Sequence, residues 1–169
     1  MGFDQGYFMS LFSLFMAALL GGIIGFERAG KNHDAGLRTH ILVCLGSATI
    51  MVLSKYLAQD YNQFDITRLG AQVISGIGFL GVGSIIVTRD RVRGLTTAAG
   101  LWTTACVGLV VGMGYYLIAI TVVAFMLIAI LGLRPIAMRV QQNTIDNFII
   151  CVTMNDKVVV RHLFAFLNE

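Results

Sequence analysis

The chain has very little charge, and one long stretch of it has none. Only 12% of its residues are Asp, Glu, Lys or Arg, whereas 57% are hydrophobic. Ordinary globular domains contain about 25% charged residues. Residues 94–133 form a run of forty positions without a charged side chain. Such a run is not compatible with a soluble domain, because the helices and strands of a soluble domain keep one polar face. Since about 20 apolar residues span a bilayer, we predict two membrane spans joined by a turn at Gly112 and Gly114.

The sequence lacks the residue patterns that are typical of metal sites, enzyme active sites and nucleic-acid-binding surfaces. Cys44, Cys106 and Cys151 do not have metal-ligand spacing, which favours a role as small apolar fillers. No predicted span carries paired carboxylates, and no nucleophile stands beside a base, so we expect no enzyme activity, no bound metal and no cofactor. The net charge of +3 is too small and too dispersed to predict nucleic-acid binding. Residues 1–26 lack the basic segment that begins a cleavable signal peptide.

The windows that are poor in charge predict an all-α polytopic membrane protein with about five transmembrane helices. A charge at the centre of a span costs about 2.5–3.5 kcal/mol on insertion scales, so charges gather outside the windows. Arg38 and Lys55 border the short charge-free part of the second window, residues 39–54, and can extend their guanidinium and ammonium groups, respectively, to the interfaces. The predicted spans are residues 5–26, 39–57, 69–88, 95–112 and 115–133.

The distribution of basic residues predicts the orientation of these spans. If the spans alternate, ten of the twelve Lys and Arg residues lie on one side of the membrane, and only Lys55 and Arg68 lie on the other. Basic residues accumulate on the cytoplasmic side of membrane proteins. We therefore predict an external amino terminus and a cytoplasmic carboxyl terminus. The lipid bilayer is thus the first predicted partner.

The segment after the last span, residues 135–169, has a different character. Pro135, the only proline, marks the end or a bend of the fifth helix. Residues 147–154 are rich in β-forming side chains and predict a strand. After Asn155 and Asp156 the sequence fits either a capped helix or the second strand of a hairpin. About 30 residues cannot bury a hydrophobic core unaided. We therefore expect the tail either to dock on a partner or to form the beginning of a longer domain.

Nineteen glycines, most of them in predicted spans, need a physical reason, because glycine destabilises a helix. Helices in lipid associate through close backbone approach, which small residues at four-residue spacing allow. Gly21 with Gly25, and Gly108 with Gly112, have this spacing. Tight packing within or between subunits, including a possible homodimer, is the favoured interpretation. The predicted packing residues are Gly21, Gly25, Gly76, Gly78, Gly81, Gly108 and Gly112.

Residues 76–81 match the G-x-G-x-x-G pattern of dinucleotide-binding proteins letter for letter. That pattern requires a preceding strand and a following helix within a βαβ unit, whereas here it lies inside a predicted span. We interpret the match as coincidental. The closely spaced glycines instead suggest a third helix that is loosely wound or closely crossed by a neighbour.

Two groups of polar residues exceed what packing requires. In the first group, Glu27 and Arg38 can pair across the first cytoplasmic loop, which would either pin two helices or form a gate or ion contact. In the second, hydroxyls and an amide on the third and fourth spans, together with Thr103 and Thr104, fit either interhelical hydrogen bonds or a substrate site. The candidate functional residues are Glu27, Arg28, Asp34, Arg38, His40, Gln72, Ser75, Arg93, Thr96, Thr97 and Trp102.

At these positions the chain resembles the MgtC/SapB family of bacterial inner-membrane proteins. The resemblance covers about residues 20–115 in order and at family spacing. It rests on GGIIGFER at 21–28, AGLRTH at 35–40, LGSA at 45–48, Arg68, AQVISGIGFLG at 71–81 and VRGLTTAAGLW at 92–102. The chain departs from the family at Ala29, where many members carry an acid, and at Gly100, where a serine is common.

The resemblance implies a transmembrane domain over residues 1–134 and the beginning of an ACT-like cytoplasmic domain over 135–169. It also implies a role in growth under magnesium limitation and, in pathogens, in virulence. Three functions follow as hypotheses. The first is a non-enzymatic regulator of another membrane complex such as ATP synthase, the second is a transporter or channel for a small ion such as Mg²⁺ or H⁺, and the third is a purely structural dimer.

The predicted orientation can be tested with a carboxyl-terminal epitope tag. Protease added to spheroplasts should leave the tag intact, because the tag is predicted to lie in the cytoplasm. The same protease should remove the tag from inverted membrane vesicles. Loss of the tag from intact spheroplasts would reverse the orientation.

Overall fold

The structure is a computed structural model, and it describes residues 3–29, 35–61, 65–88 and 91–133. Asp34 and the predicted strand and cap of the tail therefore lie outside the described residues. The described part is mainly helical, and its helices follow the charge-poor windows of the sequence. The elements are α1 (Phe3–Ala29), α2 (Leu37–Asp60), α3 (Ile66–Gly83), β1 (Ile86–Thr88), β2 (Arg91–Arg93), α4 (Leu95–Met113) and α5 (Tyr116–Gly132).

Helices α1 to α4 are long and apolar enough to cross a membrane, whereas α5 is an apolar helix of 17 residues. A span that lies across a bilayer of about 30 Å needs roughly 20 residues, but shorter spans occur. Together with the low charge of the chain, these helices make it a multi-pass membrane protein. The fifth crossing stays a prediction.

Helix α2 lies between α1 and α4 and packs closely along both. Where α1 crosses α2, a Cβ added at Gly21 would lie 2.8 Å from the His40 carbonyl oxygen. A Cβ added at Gly25 would lie 2.7 Å from the Leu37 Cα. The contact is between backbones, so only glycine fits at either position. The first of the two predicted glycine pairs therefore lies at a helix crossing.

The second glycine pair lies where α4 crosses α2, further along α2 toward its carboxyl end. A Cβ at Gly112 would lie 2.6 Å from the carbonyl oxygen of Ala48, and one at Gly108 would overlap the carbonyl oxygen of Cys44. Small side chains on α2, including Ser47 and Ala48, complete the contact and are buried. The two glycine pairs thus hold three helices at backbone contact distance.

Side chains from four helices fill the space around these crossings. The buried apolar cluster draws on α1, α2, α4 and α5, and every member is small or medium in size. Its residues are Ala17, Leu20, Ile24, Cys44, Ala48, Val107, Val111, Ala119 and Val123. Small residues permit the short interhelical distances that van der Waals packing in lipid requires.

Helix α3 is continuous from Ile66 to Gly83 and ends earlier than the sequence predicted. The third span was expected to continue to residue 88. Instead, the amide of Ser84 bonds to the carbonyl of Gly81, and the chain then forms a two-stranded antiparallel hairpin that pairs Ile86 with Arg93. The β-branched run from Ile85 to Thr88 favours extended backbone, which explains why the helix stops.

The glycines of α3 have different surroundings. A Cβ at Gly81 would lie 3.6 Å from the Ala98 Cβ of α4, an ordinary packing distance. A Cβ at Gly76, Gly78 or Gly83 would meet nothing within 4 Å. The predicted loose winding is absent from α3, which is helical throughout, and of the predicted packing residues Gly76, Gly78 and Gly81 only Gly81 contacts another helix, at an ordinary distance.

Glycine and aspartate fix the helix ends. Gly94 precedes α4 with a φ of +89°, and a side chain there would overlap the Ser84 carbonyl group. Gly114 ends α4 with a φ of +94°. Asp65 caps α3, because its carboxylate accepts hydrogen bonds from the Thr67 hydroxyl at 2.7 Å and from the Thr67 amide at 2.8 Å. These bonds to Thr67 lower the pKa of Asp65.

The close crossing of α4 and α2 predicts opposite effects for two glycine-to-alanine substitutions. Gly108→Ala should destabilise the folded chain by about 1–3 kcal/mol, because its new methyl group forces backbones apart. Gly46→Ala, on an exposed face of α2 with nothing within 4 Å, should stabilise it by about 0.5–1 kcal/mol through helix propensity. Thermal unfolding in detergent measures both. Equal midpoints for the two variants would contradict the crossing.

Candidate functional site

One charged side chain is buried at the end of the bundle where α1 ends and α2 and α4 begin. We call this the inner end. Arg28, in the last turn of α1, is only 2% exposed. Its Nε lies 3.3 Å from Oε2 of Glu27. Removing one partner from a buried ion pair costs about 3–5 kcal/mol, so a charge in this position needs its counter-ion.

His40 lies one turn into α2 and is fully buried. Its Nδ1 lies 2.9 Å from the carbonyl oxygen of Gly36. A carbonyl only accepts, so Nδ1 donates and carries the proton when the ring is neutral. Nε2 is then an acceptor, and it has no hydrogen-bond partner among the described residues. Arg28 and Glu27 both lie within electrostatic range of this ring.

Helix α4 closes the third side of this ionic cluster, which we define as Glu27, Arg28 and His40. A Cβ added at Gly100 would lie 3.8 Å from His40 Nε2 and 3.5 Å from Met126 Cε. Gly100 therefore leaves room for a side chain directly in front of the unused acceptor of His40.

A groove of about 410 Å³ opens beside the cluster, between α4 and α5. Arg28 lies at its polar part, with Thr96 and Gly100 of α4. The α5 wall is apolar and includes Val122, Phe125, Met126, Ala129 and Ile130. The groove therefore joins a buried cation to a hydrophobic channel on the outside of the bundle.

The structure corrects the predicted ion pair between Glu27 and Arg38. Arg38 is exposed and forms no ion pair with any residue that the structure describes, whereas Glu27 faces Arg28. Leu37 and His40 occupy the face of α2 that meets Gly25 of α1. Adjacent residues differ by about 100° around a helix, which turns Arg38 away from that contact.

The structure also separates the predicted second polar group. Gln72 and Ser75 are exposed, and Thr97 is buried at the inner end of α4. The helices α3 and α4 are antiparallel, since Gly81 lies against Ala98 and Gly70 against Leu109. Gln72 is therefore about ten residues from the level of Thr97, or about 15 Å at about 1.5 Å per residue. A single site cannot contain both.

The remaining candidate residues have simpler environments. The hydroxyls of Thr103 and Thr104 bond to carbonyl oxygens of their own helix, at Ala99 and Gly100 respectively. Arg93 and Trp102 are exposed, and so is Thr96. Of the predicted candidates, the structure brings together Glu27, Arg28 and His40, with Thr96 beside Arg28 in the groove.

A hydroxyl network at the opposite, outer end was not anticipated. The Ser10 hydroxyl lies 2.9 Å from the Tyr56 hydroxyl, and Ser13 lies 2.8 Å from that of Tyr116. These bonds tie α1 to α2 and to α5. Tyr7 stacks on Tyr56 with ring centroids 5.8 Å apart. The sequence signal for this network is the occurrence of serines within the first span and of tyrosines near the ends of other helices.

An outer cavity of about 510 Å³ lies beside this network and reaches Lys55 and Asp60. Among the residues that the structure describes, no three His, Cys, Asp or Glu side chains lie close enough together to hold a metal ion. The ionic cluster contributes a cation, a carboxylate and a histidine. They suit recognition of an anion or a hydrogen-bond donor better than binding of Mg²⁺, which prefers carboxylate oxygens.

Comparison with known proteins identifies relatives of the transmembrane part. A family model described as the MgtC family matches residues 14–139. "Putative magnesium transporter YhiD" of Escherichia coli K12 is 46% identical over 108 residues, which are 61% of this chain and 50% of that protein. "Protein MgtC" of Brucella abortus strain 2308 is 46% identical over 120 residues, or 71% of this chain and 49% of that protein.

"Protein MgtC" of Salmonella typhimurium LT2 is 38% identical over 161 residues, which are 91% of this chain and 68% of that protein. The chain thus spans about half the length of the Escherichia and Brucella relatives that it matches. No solved structure matches this chain.

The space at Gly100 predicts a stabilising substitution. In Gly100→Ser, the new hydroxyl can donate to the unused Nε2 of His40, so this variant should exceed Gly100→Ala in stability by about 1 kcal/mol. Alanine has the higher helix propensity of the two residues, so any excess stability of the serine variant must come from the hydrogen bond. Thermal unfolding in detergent gives the comparison. In a His40→Leu background the advantage of serine should vanish, and a serine variant no more stable than the alanine variant would refute the geometry.

Proposed function

The chain belongs to the MgtC family, and from that premise we propose that it is a non-enzymatic regulator in the bacterial inner membrane. It adapts the cell to magnesium limitation and maintains ion balance by contacting another membrane complex, such as ATP synthase. Family membership and the magnesium-related name of a relative support the link to magnesium homeostasis. In a pathogen this role would contribute to virulence.

The observation that carries the proposal is an unpaired face of α3. Gln72, Ser75, Gly76, Phe79 and Gly83 follow helical spacing and are all exposed. We call this face the α3 stripe. Residues spaced by three, four, seven and eleven positions lie on one side of a helix. The stripe is therefore a continuous surface of small and polar residues, crossed by one aromatic ring, on a helix that passes through lipid.

Lipid is a poor environment for this stripe. The side-chain amide of Gln72 makes no hydrogen bond within the described residues, and hydrocarbon offers it none. A partner helix can supply an acceptor, which is worth about 0.6–2 kcal/mol in membranes. The open space over Gly76 and Gly83 lets such a helix approach the backbone. Both features favour contact with another membrane helix over exposure to lipid.

Transport of a small ion is the second candidate, and the printed name of the Escherichia relative favours it. For this chain, a pathway would have to pass a bundle in which several buried hydroxyls bond to the backbone of their own helix. Ser47, Ser54 and Thr104 each donate to a carbonyl four residues earlier. The buried charge nearest a cavity is Arg28, which repels cations. These features favour the regulator.

The stripe can be tested with a matched pair of leucine substitutions. Gly76→Leu should abolish growth at limiting Mg²⁺ in a strain that lacks its own copy, because leucine blocks the approach of a partner helix. Gly46→Leu changes another exposed glycine with open space, on α2, and should grow normally. Site-specific crosslinking from Gln72 in native membranes should capture a second protein in the wild type and not in the first variant.

Normal growth of Gly76→Leu at wild-type expression would contradict the regulatory contact. A crosslink between two copies of this chain alone would instead support a structural dimer.

The transporter hypothesis predicts ion flux. Reconstituted protein should show no Mg²⁺ or proton flux above empty vesicles if the chain is a regulator. Flux that Thr97→Val abolishes and Gly46→Leu retains would favour transport and overturn the proposal.

A further inference from the structure

Arg28 has hydrogen-bonding capacity that the protein does not use. The side chain is 2% exposed, and its Nε faces Glu27. Its Nη2 has no hydrogen-bond partner in the part of the chain that the structure describes. A buried donor left without an acceptor is costly, and a charged one more so. Within the described residues this donor therefore lacks an acceptor, and Arg28 lines the groove through which one can enter.

The first turn of α4 faces the same groove. Thr96 lines it together with Arg28, and the helix starts after Gly94 without a side-chain cap. The first amides of a helix lack intrahelical acceptors and attract anions. Arg93, immediately before Gly94, is exposed and adds a second positive charge at this end. A buried guanidinium and an uncapped helix start thus converge on one place.

The rest of the groove has the opposite chemistry. Away from Arg28 it runs between α4 and α5, and its α5 wall is formed by Val122, Phe125, Met126, Ala129 and Ile130. Phe125 is 67% exposed, so this wall lies on the outer surface of the bundle. The groove therefore offers positive charge at the inner end and an apolar surface beyond it.

We propose that this groove binds one anionic phospholipid, such as phosphatidylglycerol, from the leaflet at the inner end. Its phosphate accepts hydrogen bonds from Nη2 of Arg28 and from the first amides of α4, while Nε of Arg28 stays with Glu27. One acyl chain lies along α5. Basic pockets between transmembrane helices on the cytoplasmic side bind anionic headgroups in this manner.

A phospholipid matches this arrangement, a positive charge followed by an apolar surface, better than a partner helix does. In a lipid, the anion and the hydrocarbon are joined end to end, and the anion lies at the interface. A helix that filled the apolar part would have to carry a carboxylate at one matching position. The inference is independent of the α3 stripe, which lies on a different helix.

Native mass spectrometry and thermal unfolding of the purified full chain in detergent test the inference. Phosphatidylglycerol should bind at least about tenfold more tightly than phosphatidylcholine, because the latter carries a compensating cation, and it should raise the unfolding midpoint. Inorganic phosphate should not raise it, because it lacks the acyl chain. Equal effects of the two lipids, or a phosphate effect equal to that of phosphatidylglycerol, would overturn the proposal.

Two tryptophan substitutions on α5 separate the groove from the bundle surface in general. Ala129→Trp fills the groove and should weaken phosphatidylglycerol binding at least about tenfold. Ala124→Trp changes another exposed alanine that does not line the groove, and should bind like the wild type. Wild-type binding by Ala129→Trp, or equal losses in both variants, would overturn the proposal.

Arg28→Lys probes the headgroup without unpairing Glu27. Lysine keeps the positive charge but loses the fork of donors, so binding should weaken by about tenfold or more. Gln72→Leu, in the α3 stripe, should bind phosphatidylglycerol normally even if it loses the regulatory contact. Capture of a membrane protein that Ala129→Trp abolishes while lipid binding is unchanged would identify a helix site instead and refute the lipid.

Discussion

The bundle depends on backbone contact between three helices in a solvent that gives no hydrophobic drive for helix association. Lipid tails are as apolar as leucine, so helices in a membrane are held by packing and by hydrogen bonds. Gly21 and Gly25 bring α1 onto α2, and Gly108 and Gly112 bring α4 onto the same helix. Carbonyl groups of α2 lie where side chains would otherwise stand. Each pair excludes even one methyl group, so the positions of α1 and α4 are set relative to α2 within narrow limits.

The ionic cluster is a consequence of these crossings. Gly25 sits against Leu37 and the Cβ of His40, which carries the imidazole into the space between α1, α2 and α4. Arg28 follows three residues later, so it lies on the same side of α1 and is buried at the same end. A guanidinium buried there is tolerable only because Glu27 stands 3.3 Å away. Packing and charge are thus coupled, because a shift of α1 would separate the cluster.

The sequence predicted the helices and the glycine crossings, because both depend on local patterns. Charge-free windows mark helices in lipid, and the two glycine pairs at four-residue spacing mark close approach of two helices.

The sequence could not predict which charged side chains meet. Arg28 and Arg38 lie at opposite ends of the loop that follows Glu27, and the rotation of α2, set by the contact of Leu37 with Gly25, turns Arg38 away from Glu27. Gln72 and Thr97 were grouped because both are polar, but the antiparallel register of α3 and α4 places them at different depths. The end of α3 at Gly83 depends on whether the following residues form helix or hairpin, and the pattern of charged residues does not distinguish the two.

The same contacts leave α3 freer to shift than α1 or α4, which suits the partner contact that we propose for it. The crossings of α1 and α4 on α2 are backbone against backbone, and any movement there costs close contacts that nothing replaces. Helix α3 is held differently. Its Gly81 meets Ala98 at an ordinary distance, and Gly70 meets the terminal methyl group of Met51, a flexible side chain that can adapt. Its other glycines have open space. A small tilt of α3 therefore costs less than the same tilt of α1 or α4. A partner that docks on α3 can move it without separating Arg28 from Glu27, and the hairpin after Gly83 connects that movement to the start of α4 at Gly94.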